Sequence, residues 1–251
     1  FATKKWFSGD LGVVNEYYTV NYFSPPVFNQ VRMNFQTGAL INRQGREDLE
    51  ASFKTMRVPL QAGFGYDLFY FWASLRGGYL FERLTDLKIQ DEDTLTRQKY
   101  PELSKNHDQQ FAYFSLTLNR EEKKKYILEK DDLLKLNLDY YGNMGYSWIY
   151  ARLDAEKYLL HHDDVFLFRF RAMSMLGKYP VYYQPGLSDE YHLRGYGALY
   201  SSHSADLTLE HWNSIYKDQV HSILFIDAGV FDNETYKNSL SAGNFAMSWG
   251  V

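Results

Sequence analysis

Apolar and polar residues alternate with a period of two along most of the chain. Val31-Arg32-Met33-Asn34-Phe35-Gln36 shows the pattern cleanly, as do Leu134 to Tyr140 and Ala205 to Glu210. From Ile149 to Leu159, Arg152, Asp154 and Glu156 share one face while Ala151, Leu153 and Ala155 share the other. From Val165 to Met175, Arg169 and Arg171 fall opposite Phe166, Phe168 and Phe170. Successive side chains of a strand point to opposite sides, so this period predicts half-buried strands. Eleven such segments follow one another, at 9–23, 31–42, 53–65, 70–84, 109–121, 133–144, 147–161, 165–176, 199–213, 220–231 and 243–251, with residues 1–7 as the tail of one more. No segment carries a convincing helical period; Glu121 to Asp132 is charged on all sides and reads as a turn region. Several segments run well past the ~5–6 residues usual in soluble sheets and match the ~9–11 needed to cross a bilayer.

The connections alternate between short and long. Tyr66 to Phe69, Gly142 to Tyr146 and His161 to Asp164 are tight, whereas Asp86 to Asp108 is long and charged and Gly177 to Ala198 is long and rich in Gly, Pro and Tyr. Membrane barrels place short turns on the periplasmic side and longer loops outside. Counting strands then puts both long loops and the Gly142–Tyr146 turn outside, with Ser24-Pro25-Pro26 and His161-His162-Asp163-Asp164 on the periplasmic side.

Periodicity alone leaves the direction of the faces open. A soluble barrel or sandwich turns its apolar face inward; a membrane barrel inverts the same alternation. Composition bears on the choice. Aromatic residues make up 18% of the 251, with 22 Tyr and 18 Phe, which favours strands and supplies the interfacial girdles of membrane barrels. Trp6, Trp72, Trp148, Trp212 and Trp249 stand near strand ends, where girdle residues belong. The chain has no run of ~18 apolar residues, so no transmembrane helix is expected. Cysteine is absent, which excludes a disulfide scaffold and a cysteine-zinc site. A net charge of −4 gives no electrostatic case for nucleic acid. Phe1 opens no signal-peptide pattern, so the chain reads as mature or fragmentary.

Leu193-Arg194-Gly195-Tyr196 ends a long Gly-containing loop, a polar-alternating strand with Glu210 follows, and then comes Phe225-Ile226-Asp227-Ala228-Gly229. A similar Leu75-Arg76-Gly77-Gly78-Tyr79 stands inside a strand and reads as a bend or bulge. The order of parts over 184–229 resembles the barrel of the outer-membrane assembly and translocation superfamily that includes BamA, TamA and FhaC. The resemblance implies an all-β, antiparallel up-and-down transmembrane β-barrel, with 11–12 strands here out of sixteen and a single domain over 1–251 incomplete at both ends. POTRA-like modules, where present, would lie upstream of Phe1. The resemblance also implies a lock: Arg194 as the loop cation, Gly195 as the turn residue, Tyr196 as the adjacent aromatic, Asp227 as the wall carboxylate and Glu210 as a second one. Planar guanidinium meets carboxylate in a bidentate way, and glycine lets the backbone turn tightly. Alternation puts Glu210 on the polar face, whereas Asp227 shares its face with Phe225 and Ile223.

The implied function is insertion of outer-membrane proteins or polypeptide translocation in the Gram-negative outer membrane. The implied partners are lipid, unfolded outer-membrane or secreted polypeptide clients, and periplasmic or lipoprotein accessory subunits; neither a cofactor nor catalysis is implied. A passive pore, an anchor for an attached domain, and a soluble all-β binding protein are the alternatives. The lumen charges Arg152, Asp154, Glu156, Arg169 and Arg171 either hold a substrate or simply satisfy one another. His161-His162-Asp163-Asp164 reads as a polar turn, since adjacent strand-end histidines point opposite ways; no metal set is expected. His203, His211 and His221 read as lumen or interface residues, and Glu121-Glu122-Lys123-Lys124-Lys125 as a solvated turn. Gly-x-Ser-x-Gly, phosphate-loop and zinc-helix motifs are all missing.

Overall fold

A computed structural model describes residues 2–8, 13–24, 31–46, 51–68, 71–89, 100–103, 105–121, 133–161, 164–186, 200–216, 220–232 and 245–250. Twelve strands form one sheet in strict sequence order. They are β1 (Ala2–Ser8), β2 (Val13–Phe23), β3 (Val31–Arg46), β4 (Ala51–Leu68), β5 (Phe71–Ile89), β6 (His107–Glu121), β7 (Leu133–Gly142), β8 (Ser147–His161), β9 (Asp164–Lys178), β10 (His203–Tyr216), β11 (Val220–Phe231) and β12 (Phe245–Gly250). Each is antiparallel to the next. The predicted segments and these strands agree in number, type and order, and the boundaries differ by a few residues. Among the described residues β1 and β12 each have one neighbour. None of the described helices is long and apolar enough to cross a membrane.

Pairing through Leu75–Tyr79 runs without a register shift to β4 or β6. The bend or bulge expected there is not formed. The irregularities fall instead between Ser52 and Lys54 and between Ser214 and Tyr216.

The faces are inverted relative to a soluble sheet. Phe64, Leu75, Phe114, Ile149, Leu224 and Met247 stand exposed on the convex side. Thr55, Glu82, Thr117, Asp154, Arg171 and Asp227 are buried on the concave side. Apolar outside and polar inside is the arrangement for lipid, because a convex face of this kind exposes far more contiguous apolar surface than water tolerates. The soluble all-β alternative therefore fails.

Two rims follow from the topology. The turn rim joins β2–β3, β4–β5, β6–β7, β8–β9 and β10–β11. The loop rim carries the connections after β3, β5, β7, β9 and β11, and the longest ones (90–106, 179–202 and 232–244) all lie there. At 18 and 19 residues, β4 and β5 exceed the ~9–11 that a tilted crossing needs, so they project past the membrane at the loop rim. Their ends bury Ala51, Phe53 and Leu84 against Leu103, Val181 and Tyr182.

The tryptophan girdle needs correction. Trp148 is buried with Leu80, Phe111 and Met175 on the concave side, Trp212 packs against Tyr158, Val165 and Leu167, and Trp72 lines a concave groove. Of the described tryptophans only Trp249 is exposed; the Trp6 side chain lies outside the described residues. Nearness to a strand end says nothing about face, which is set by parity. Tyr18, Tyr22, Tyr66 and Tyr140 stand on the exposed convex face instead.

Candidate functional site: a plugged lumen with a charged wall

Three zones make up the concave side. The first is a plug at the loop rim. Gly177 has φ +113°, a conformation open to glycine, and a side chain there would overlap the Ser147 carbonyl. The chain leaving β9 thereby turns inward, and Val181–Tyr183 forms one 3-10 turn inside the mouth. Both tyrosines donate to one carboxylate: Tyr182 Oη to Glu82 Oε1 at 2.8 Å and Tyr183 Oη to Glu82 Oε2 at 2.7 Å. Arg57, opposite Glu82 in the register, closes the group with Nε 2.6 Å from Oε2 and its guanidinium 4.2 Å from the Tyr183 ring centre. Glu82 is 1% exposed. A carboxylate so buried is stable only with its charge matched and its lone pairs filled, and these partners do both.

Aromatic rings surround this group. Trp148 stacks on Tyr141 at 4.8 Å and meets Tyr183 edge-on at 4.8 Å, while Phe111 contacts Trp148 at 5.2 Å. Behind the turn, Glu102 accepts from the Val181 N–H at 2.9 Å and from Tyr146 Oη at 3.4 Å. Burial, with Glu102 alongside, pushes the Tyr146 phenol up to about 12. Burial and the neighbouring Glu82 drive the Tyr182 phenol far above its ordinary range. Both phenols therefore remain donors at physiological pH.

The connection returns to the sheet beside where it left. Gly186 bridges Tyr200, and Ser201 N–H donates to the Pro185 carbonyl at 3.3 Å. Asp232 anchors the return, accepting from Ser201 Oγ at 2.6 Å and from the His203 N–H at 2.7 Å. The excursion 187–199 is thus pinched at its base. Arg194, Gly195 and Tyr196 stand on it and lie outside the described residues.

The second zone is the wall of β8–β11. Arg152 grips Asp154 through both oxygens, at 2.7 and 2.8 Å, and Arg171 Nε reaches the same carboxylate at 3.3 Å. Arg169 bonds Glu156 at 2.9 Å and lies 3.9 Å from Glu210. Trp212 Nε1 donates to Glu210 at 2.7 Å. Asp227 is fully buried, opposite Thr208 in the register, and accepts from Ser248 Oγ at 3.1 Å. Glu210 and Asp227 thus line one wall, two strand positions apart across β10 and β11. Among the described residues this wall carries Arg152, Arg169 and Arg171 together with Asp154, Glu156, Asp206, Glu210 and Asp227.

The third zone, a polar groove at the turn rim, is lined by Asn34, Gln36, Trp72, Arg76, Asn119 and Lys135 among others.

Sequence reasoning placed the wall charges on one face but missed the plug. Its signal was present: Glu82 interrupts the inward row Leu80–Leu84, and a paired Tyr182-Tyr183 stands in a loop. The described histidines His203 and His211 have outward parity; His211 stacks on Phe166 at 4.6 Å and lies 3.2 Å from Asp164. His162 and Asp163, the His221 side chain and the charge run from Glu122 onward lie outside the described residues. Among the described residues no His, Asp and Glu side chains gather into a metal-binding group.

Polar lumen, apolar convex face and consecutive antiparallel strands define a transmembrane β-barrel fold of the outer-membrane type. The particular likeness is to BamA. The chain is similar to the crystal structure of BamA from Haemophilus ducreyi lacking POTRA domains 1-3, with TM-score 0.65 and 14% identity over 90% of this chain and 52% of that one. It is also similar to CdiB from Acinetobacter baumannii, with TM-score 0.57 and 13% identity over 94% of this chain and 43% of that one. The chain thus spans about half the length of the structures it matches. No protein-family model and no curated protein sequence matches it.

Proposed function

We propose that the chain is the barrel of a BamA/TamA/FhaC-family protein of the Gram-negative outer membrane. In this reading it inserts outer-membrane proteins or moves polypeptides across that membrane, and no bond chemistry is involved. The observation that carries the reading is the connection after β9, which turns into the lumen and is clamped there on Glu82. The same connection holds Arg194-Gly195-Tyr196. Arg194 lies six residues before Tyr200, a reach of roughly 20 Å when extended. Asp227 lies five residues along β11 from the anchored Asp232, roughly 17 Å down the wall. The loop is long enough for Arg194 to meet Asp227 and Glu210.

A barrel locked in this way presents its edge strands as templates. Unpaired N–H and C=O groups at a sheet edge accept a client strand by β-augmentation. The clients in this reading are unfolded outer-membrane or secreted polypeptides. Lipid solvates the convex face, and periplasmic or lipoprotein subunits are the accessory partners.

In phospholipid vesicles, the full-length protein should speed the folding of a urea-unfolded small outer-membrane barrel several-fold over vesicles holding a porin. Heat-resistant gel mobility and protease protection of the client report the rate. Equal rates in the two vesicle sets would overturn the reading. Arg194→Ala and Asp227→Ala should each slow the reaction, with little added by combining them; fully additive losses would remove the lock.

A further inference from the structure

The third zone contrasts with the rest of the lumen. On β4, Gly63 and Gly65 leave the wall bare where neighbouring strands carry side chains. A methyl group at Gly65 would overlap the Trp72 ring, and one at Gly63 would overlap the Leu75 carbonyl first and then the backbone and stem of Arg76. These two glycines let Trp72 and Arg76 lie down across β4 toward β3. There Arg32 sits 5.7 Å from the Trp72 ring centre, and Arg76 Nη1 reaches Gln36 at 3.3 Å. The result is a groove of about 370 Å³, within the ~300–1,000 Å³ range of ligand sites.

Its electrostatics are one-sided. Among the described residues the lining contains Arg76 and Lys135 and no carboxylate. Asp154, the register neighbour of Lys135, is already gripped by Arg152 and Arg171. Asp139, further along β7, takes the Tyr113 hydroxyl at 3.1 Å. Among the described residues Arg57, Arg152, Arg169 and Arg171 are paired with acids, whereas the guanidinium of Arg76 bonds the Gln36 amide. Among the described residues three buried polar atoms beside the groove make no hydrogen bond: Arg76 Nε, Asn34 Oδ1 and Asn119 Oδ1. Buried polar atoms are otherwise satisfied almost without exception, so each such atom calls for an explanation.

The geometry points to a binding site for an acidic, extended polypeptide segment, with its carboxylates on Arg76 and Lys135. The segment's side chains lie on Trp72, which lines the groove. Lipid headgroups belong to the convex face, and this groove lies on the concave one. The site deepens the polypeptide-handling reading above, on which it rests, by placing a client contact at the turn rim of the lumen.

Fluorescence anisotropy of a labelled octapeptide alternating Glu with Gly and Ser, on the full-length protein in detergent or nanodiscs, tests the site. The Glu peptide should bind, a Gln counterpart should bind at least about tenfold more weakly, and affinity should fall as salt rises. R76Q with K135Q should abolish the preference, and Arg76→Lys should restore part of it; heat-modifiable gel mobility verifies that each variant is folded. Equal binding of the Glu and Gln peptides, displacement by inorganic phosphate or an oligonucleotide, or unchanged binding in the folded double variant would each overturn the site. The readout is separate from client folding: accelerated folding without charge-selective binding sinks the groove alone, and charge-selective binding without acceleration sinks the assembly reading alone.

Discussion

At the scale of single residues, the plug depends on Glu82. Its oxygens are shared by Arg57, Tyr182 and Tyr183, so removing one partner strands buried charge or polar groups. Glu82→Gln and Arg57→Gln should each lower stability by ~3–5 kcal/mol, read as urea midpoints in lipid vesicles. Because the two act as a unit, the double variant should lose much less than the sum; additive losses would refute the coupling. Tyr146 gives a pH signature. Its phenol is raised from 10.0 to about 12 in the folded protein. The unfolded chain therefore sheds this proton first as pH rises, so the contribution is complete below pH 10 and is lost between 10 and 12. Tyrosinate absorbance should show a late-titrating group in this window that Tyr146→Phe removes. None of this was legible from alternation, which assigns a face to Glu82 but not the loop that covers it. The wall charges were legible, because Asp154 and Arg171, or Glu156 and Arg169, need only parity and an antiparallel register to meet.

At the scale of elements, the same parity separates two consequences that a soluble fold would reverse. Phe170 stands outside near the middle of β9 and Arg171 inside. Phe170→Arg should cost ~2–4 kcal/mol in a bilayer, the penalty for a cation near the midplane of the lipid face. A charge placed at the concave Thr117 should cost far less, since it enters a polar groove. Refolding midpoints of both variants in vesicles decide the matter, and equal costs would contradict the inverted faces. Strand existence and order were readable because lipid and lumen impose opposite polarity at every second residue over long spans. Tryptophan placement misled because proximity to a rim and direction of the side chain are independent. Trp148 turns inward to stack on Tyr141, while an exposed belt position is filled by Tyr140 one residue away from that ring. The Leu75–Tyr79 glycines misled for a related reason. They do not bend the strand; they pair with Ala62 and Gln61 on β4, and a side chain at Gly78 would overlap the Leu60 carbonyl.

At the scale of the whole molecule, the lumen is asymmetric along its axis: a dry aromatic stopper at the loop rim, and an open cationic groove at the turn rim. Between them the β8–β11 wall carries the Arg152–Asp154–Arg171 and Arg169–Glu156 groups. A passive pore needs a continuous wet path, and Phe111, Trp148, Tyr182 and Tyr183 pack together on the concave wall at one end of it. The full-length protein in planar bilayers should therefore conduct little at rest. Replacing Tyr182 and Tyr183 together by Ala removes both hydroxyls on Glu82 and two rings of the stopper. It should raise single-channel conductance or open frequency several-fold while the apolar convex face keeps the protein in the membrane. Tyr182→Phe with Tyr183→Phe separates the two contributions, since it keeps the rings and removes the hydrogen bonds. If the rings alone block the lumen, the Phe pair stays closed; if the Glu82 hydrogen bonds hold the turn in place, it opens as the Ala pair does. A wild-type protein that conducts as freely as a porin, with no response to either pair, would mean that the turn after β9 does not stop the lumen at all.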